Sequence, residues 1–162
     1  MQAKTGLLSA EELKGLLPPE VRLSQGPVAV IECRQKIPCD PCYHSCNRGA
    51  IKPFEDINDC PEIDWEKCNG CGTCISKCPG LAIFVIDLTY SQEQAVVRLP
   101  YEFLPLPRVN QEVLLLNREG VPVGKGPVVK VQNTKAQDRT PVIWVAVPKA
   151  LAMEVRNIRT EG

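Results

Sequence analysis

Four cysteines, Cys68, Cys71, Cys74 and Cys78, stand in the run C-x2-C-x2-C-x3-C, and Pro79 follows directly. This is the spacing of thiolates that hold an iron–sulfur cluster. Three thiolates two residues apart let one tight loop wrap three corners of a cubane, and Gly70 and Gly72 permit the turns and the close backbone approach. Amides in such a loop point at the sulfurs and offset their negative charge. Zinc is the competing reading of paired C-x2-C motifs, but three consecutive steps with a trailing Cys-Pro are poor spacing for a tetrahedral ion. The expected chemistry is electron transfer by 4Fe–4S clusters.

The chain repeats itself at an offset of 32 residues. Cys39, Cys42, Cys46 and Gly49-Ala50-Ile51 superpose on Cys71, Cys74, Cys78 and Leu81-Ala82-Ile83, and Ile31-Glu32 meets Ile63-Asp64. Each half then reads strand, cysteine loop, strand, which predicts a pseudo-twofold protein with two clusters. In such proteins the fourth cysteine of a run ligates the other cluster. Cys46, Cys68, Cys71 and Cys74 are therefore expected to share one 4Fe–4S cluster, and Cys39, Cys42 and Cys78 the other.

The latter set lacks a ligand, because Lys36 stands where the repeat predicts cysteine. Two candidates remain. Cys33 lies six residues before Cys39 and needs only a slightly longer loop. Cys60, in Asp59-Cys60-Pro61, would have to reach back from the second half. Closing the smaller loop is the smaller entropic demand and favours Cys33. A 3Fe–4S cluster with neither ligand is the third possibility. His44, the only histidine, lies between Cys42 and Cys46 and reads as a loop residue near a cluster rather than as a ligand.

Arg34, Lys36, Arg48 and Lys52 surround the first cysteine run, whereas Glu62, Asp64 and Glu66 precede the second. As ordinary solvated surface this asymmetry does nothing. Read functionally, positive charge favours the reduced, more negative cluster, so the cluster held through Cys39 and Cys42 is expected at the higher potential.

The rest of the chain bounds what else is possible. Its 162 residues carry 19 basic and 19 acidic side chains, a balance unlike the basic stripe of a nucleic-acid binder. No apolar run approaches the ~20 residues of a membrane span. Nine cysteines, an odd number, and an N-terminus without an apolar core argue for metal binding in the cytoplasm over a disulfide framework. No nucleophile, acid–base pair or substrate motif stands out, so the chain reads as non-catalytic by itself.

Ser9 and Glu12 form a capping box for a helix over 7–17, which Pro18-Pro19 stops. Strands are expected over 27–32, 81–87, 95–99, 112–117, 127–132 and 141–147, with turns at Arg118-Glu119-Gly120 and across 137–140. Val123-Gly-Lys-Gly126 is expected as a hairpin turn. Leu151, Val155 and Ile158 predict a last helix over 149–158. Cysteine ends at 78, and a boundary near residue 90 divides the chain into an N-terminal helix and linker (1–25), a cluster domain (26–90) and a β domain (91–162).

Three stretches carry a resemblance: Glu32-Cys33 with Ile37-Pro38-Cys39-Asp40-Pro41-Cys42; Cys78-Pro-Gly-Leu-Ala-Ile-Phe84; and Leu99-Pro-Tyr-Glu-Phe-Leu-Pro-Leu-Pro107. Together they resemble the small ferredoxin-like 4Fe–4S subunit found alongside FAD-dependent amino-acid or imino-acid dehydrogenases of the proline dehydrogenase and sarcosine oxidase type. The resemblance extends to Asp138-Arg-Thr-Pro141 and departs at Asn47, where the family has proline after the cysteine. It implies Cys33 rather than Cys60 as the ligand. It also implies FAD-containing partner subunits in a hetero-oligomer, with electrons passing from reduced flavin to another carrier. The resulting expectation is an α+β protein: a dicluster bacterial ferredoxin-like domain followed by a small β-barrel or sandwich with a C-terminal helix. The alternative is a free-standing ferredoxin whose β domain only stabilises it.

Overall fold

The structure is a computed structural model that describes residues 17–32, 43, 46, 48–52, 62–78, 82–101, 106–133 and 140–160. The capping-box helix, Cys33, Cys39, Cys42, His44 and Cys60 lie outside the described residues, as do Arg34, Lys36, Asn47 and positions 137–139 of the second expected turn. Pro19, extended, ends the N-terminal approach and caps a short helix α1 (Glu20–Leu23). The Val- and Ile-rich runs become strands, as residues that fill a pleated, half-buried surface do. They are β1 (Val28–Ile31), β2 (Ile83–Asp87), β3 (Gln94–Pro100), β4 (Glu112–Leu116), β5 (Pro122–Gln132), β6 (Val142–Pro148) and β7 (Asn157–Arg159). A second short helix, α2 (Thr73–Lys77), carries Cys74.

All seven strands lie in one antiparallel sheet of order β1-β2-β3-β6-β5-β4-β7. Alternation along each strand separates two cores. Val28, Val30, Phe84, Ile86, Val97, Ile143, Val145 and Ile158 belong to the larger one, which runs the length of the sheet. Ala29, Ile31, Ile83 and Val85 point the other way and pack with Cys74, Ile75 and Ile51. The cysteine segment thus sits on the outer face of β1 and β2, held by the residues between those of the main core.

The internal repeat reappears as strand register. Ile31 pairs antiparallel with Ile83, and Ile63 forms an antiparallel bridge with Ile51. Moving the first pair by the repeat of 32 residues, forward for one partner and back for the other, generates the second. Lys52 N–H donates to Glu62 O (2.9 Å) and Asp64 N–H to Ala50 O (2.6 Å), extending that bridge.

Two expectations are corrected. The helix over 149–158 does not form: Lys149–Leu151 is a single 3-10 turn, and Asn157–Arg159 is strand β7. The open edge of β4 offers a row of backbone groups, and pairing of Leu115 with Ile158 satisfies them while keeping Val155 and Ile158 in the core. Val123–Gly126 is likewise strand, within β5, not a hairpin turn. Gly126 is there because any Cβ would strike the carbonyl oxygen of Ala146. The β4–β5 turn lies instead at Asn117–Gly120, as its Gly suggests: the Asn117 side chain accepts from the Glu119 and Val121 amides, and Gly120 has φ 79°.

The sheet also runs through residue 90, since Val85, Ile86 and Asp87 of β2 pair with Arg98, Val97 and Val96 of β3. A buried charge network ties its ends. Glu32, directly after β1, accepts from Arg156 Nε (2.9 Å) and Arg118 Nη2 (2.5 Å).

Candidate metal centre

Gly70 and Gly72 both hold positive φ, 72° and 80°, so the Cys68–Cys71 loop makes two left-handed turns in quick succession. Only glycine takes such turns without strain. At Gly70 the space is closed as well, because a Cβ would stand 2.5 Å from the backbone oxygen of Pro27. The loop therefore lies flat against the start of β1. This closeness aims amides at sulfur: Gly70 N–H and Ala29 N–H each donate to Cys68 Sγ at 3.4 Å. Ala82 N–H donates to Cys78 Sγ at 3.5 Å.

The five described cysteines are free of disulfides. Cys71 is exposed, Cys46, Cys68 and Cys78 are half-buried, and Cys74 is buried at the start of α2. Burial drives the Cys74 thiol far above its ordinary value, and negative charge on Cys68, Cys71 and Cys46 drives it further. Those three are the cysteines expected to share a cluster with it. Cys71 differs. Burial raises it, but bonds from the Thr73 hydroxyl and backbone, with help from the Arg98 guanidinium, leave its thiol below the ordinary range.

Two guanidiniums stand behind the loop. Arg22 is 9% exposed and donates to four carbonyls: Trp65 O (2.7 Å), Gly26 O (3.2 Å), Pro27 O (2.9 Å) and Cys68 O (2.7 Å). Arg98 donates from Nη1 to Gly70 O at 2.5 Å and lies over the Trp144 ring, 3.7 Å from its centroid. Trp144 is its cross-strand neighbour and is itself fixed through Nε1 to Gln132 Oε1 at 2.8 Å. Neither arginine stands out by spacing; the one sequence signal is a lone Arg in the Val-rich strand Ala95–Leu99.

The donor set fits a 4Fe–4S cluster: thiolates on a loop whose amides already point at sulfur, with one thiol buried so deeply that its ionised form needs nearby positive charge. Residues 61–84 match the 4Fe–4S binding domain family. The chain carries a ferredoxin-type 4Fe–4S domain. Two curated proteins are similar over part of it. One is the pyruvate synthase subunit PorD of Methanocaldococcus jannaschii, 37% identical over 33% of this chain and 60% of that protein. The other is a subunit of the ion-translocating oxidoreductase complex of Methanosarcina acetivorans, 45% identical over 29% of this chain and 17% of that protein. This chain thus matches less than two thirds of either relative. No solved structure matches it. Among the described residues no helix is long and apolar enough to cross a membrane.

Proposed function

We propose that this chain is an electron-transfer subunit that carries two 4Fe–4S clusters between a reduced flavin and another carrier. Cys46, Cys68, Cys71 and Cys74 hold one cluster, and Cys39, Cys42 and Cys78 hold the other with Cys33. The observation that carries the reading is the register symmetry. Ile31↔Ile83 and Ile51↔Ile63 are the same pairing made twice, which supports a second cysteine loop placed as the first is. Cys46 packs against the same core cluster as Cys74, which supports ligand exchange between the two halves.

The clusters supply reversible one-electron chemistry when bound. The chain's own part is to aim the Gly70, Ala29 and Ala82 amides at sulfur and to present Cys71 at the surface. An exposed ligand at one corner suits electron exchange with a partner. Both partial relatives are named as subunits, of pyruvate synthase in one case and of an ion-translocating oxidoreductase complex in the other. The resemblance in Glu32–Cys42 and Leu99–Pro107 narrows the partner to a FAD-dependent amino- or imino-acid dehydrogenase.

Iron and acid-labile sulfide after anaerobic purification should come to about eight of each per chain, as two cubanes require. Four of each would overturn the two-cluster reading. The complex isolated from its native host should show flavin absorbance and bleach the clusters on addition of amino- or imino-acid substrate. Elution as a lone iron–sulfur protein would favour a free ferredoxin instead.

A further inference from the structure

The loop around Cys68 and Cys71 is gripped from outside on its carbonyls. Arg22 takes Cys68 O and Arg98 takes Gly70 O, at 2.7 and 2.5 Å. Between these two held peptides lies the one whose amide, Gly70 N–H, points at Cys68 Sγ. Cys71 N–H is turned to Asn69 Oδ1 at 3.2 Å, which completes the fixing of that stretch. Arg98 Nη1 also stands 3.9 Å from where a Gly72 Cβ would be, so its guanidinium spans both glycines that flank Cys71.

What neutralises these arginines is the telling point. Buried charges are ordinarily paired, because leaving water without a partner is costly. Among the described residues neither Arg22 nor Arg98 has a carboxylate ion pair. Among the described residues, Arg22 meets neutral carbonyls only. Arg98 has one carbonyl and one aromatic face, and its Nε is buried with no hydrogen-bond partner among the described residues. Asp87 is an acid that Arg98 feels, without an ion-pair contact between them. Among the described residues, two guanidiniums therefore stand beside a thiolate loop with no carboxylate in contact with either.

We propose that Arg22 and Arg98 form a guanidinium clamp on the Cys68–Cys71 loop, positioning its peptides and raising the reduction potential of the cluster this loop holds. The inference rests on the cluster assignment above but not on any partner. Reduction adds a negative charge to the cluster, and a positive charge that is buried, as at Arg22, or half-buried, as at Arg98, favours that state more than a fully solvated surface charge does. Both arginines are positioning residues: they act through the loop and the field, and touch no sulfur. The surface asymmetry noted in the sequence points the other way, toward the cluster of Cys39 and Cys42, and the clamp opposes it from the interior.

The test is a redox titration of the holoprotein with chemical reductant and mediators, followed by EPR. Arg98→Gln should weaken reduction of one cluster about tenfold, ~59 mV for a one-electron couple, and leave the other unmoved. Arg98→Lys, which keeps the charge, should stay near wild type. The gap between wild type and Arg98→Gln should largely survive added salt, since a half-buried charge is screened less than an exposed one. An Arg98→Gln protein with both clusters at wild-type potential overturns the proposal. If Arg98→Gln cannot hold the cluster, Arg98→Lys decides. Retention near wild-type potential supports the clamp; a fall in potential despite the charge, or loss of the cluster there too, overturns it. A wild-type protein without iron would instead refute the cluster assignment itself.

Discussion

Arg156 is a buried guanidinium and Arg98 a half-buried one, and they are neutralised in opposite ways. Arg156 is 6% exposed, donates to Glu32 and to the carbonyls of Ala152 and Val155, and stacks over Phe84. Arg118 joins it on the same carboxylate. Burial pulls the Arg156 guanidinium down to about 10, and Glu32 holds it up against that. This group joins the end of β1 to the β4–β5 turn and to the residue before β7. Among the described residues Arg98 and Arg22 contact carbonyls and an indole and no carboxylate, and they sit against a thiolate loop. The difference separates a device that closes the fold from one whose charge is left to act on a cluster.

The largest effect expected from breaking either is at Glu32. Glu32→Ala strands the buried Arg156 and the partly buried Arg118, and removal of one partner from a buried ionic group costs about 3–5 kcal/mol. The midpoint of denaturant unfolding should fall accordingly. The double variant Glu32→Leu with Arg156→Met should recover much of the loss, since apolar replacement of a buried pair is close to neutral and the more exposed Arg118 can turn to water. Failure to recover would mean the network does more than neutralise itself.

Trp144 tests the other arrangement. Its ring meets Arg98 at 3.7 Å and Lys130 at 4.8 Å. Trp144→Leu keeps an apolar side chain in β6 but removes the aromatic face, so a loss of roughly 0.5–2 kcal/mol is expected. Unfolding midpoints compared in the wild-type and Arg98→Gln backgrounds would show it: the loss should shrink once Arg98 is gone.

The smallest effect belongs to the surface. Lys52 and Glu62 form an ion pair at 3.5 Å with side chains 59% and 73% exposed. Such pairs are worth about 0–1 kcal/mol. Glu62→Gln should leave stability nearly unchanged, and salt should erase what difference remains. The same pair bears on the surface asymmetry: a basic residue counted with the first cysteine run and an acidic one counted with the second are neighbours in space, and cancel.

Reading along the chain worked where the physics is local. The C-x2-C-x2-C-x3-C run, the glycines that must turn left-handed at 70 and 72, the repeat of 32 residues and six of the seven strands are legible because each depends on neighbours a few residues apart. In the structure the repeat also appears as a register, since similar local patterns meet their partners in the same way. The misreadings share a cause. At 149–158 a helical spacing of Leu151, Val155 and Ile158 was outweighed by the open edge of β4, whose backbone groups had to be paired. At 123–126 the glycines answer to a carbonyl of β6 rather than to a turn.

What the sequence by itself determined is the cysteine chemistry and the strand-forming runs, because thiolate spacing and β-branched alternation are properties of consecutive residues. Tertiary structure alone decided which arginines face the loop and which meet a carboxylate. Arg98 reaches Gly70 across 28 residues, Arg22 reaches Cys68 across 46, and Arg156 reaches Glu32 across 124. A guanidinium's role is set by what stands at the end of its side chain, and strand order brings those groups together, not proximity along the chain.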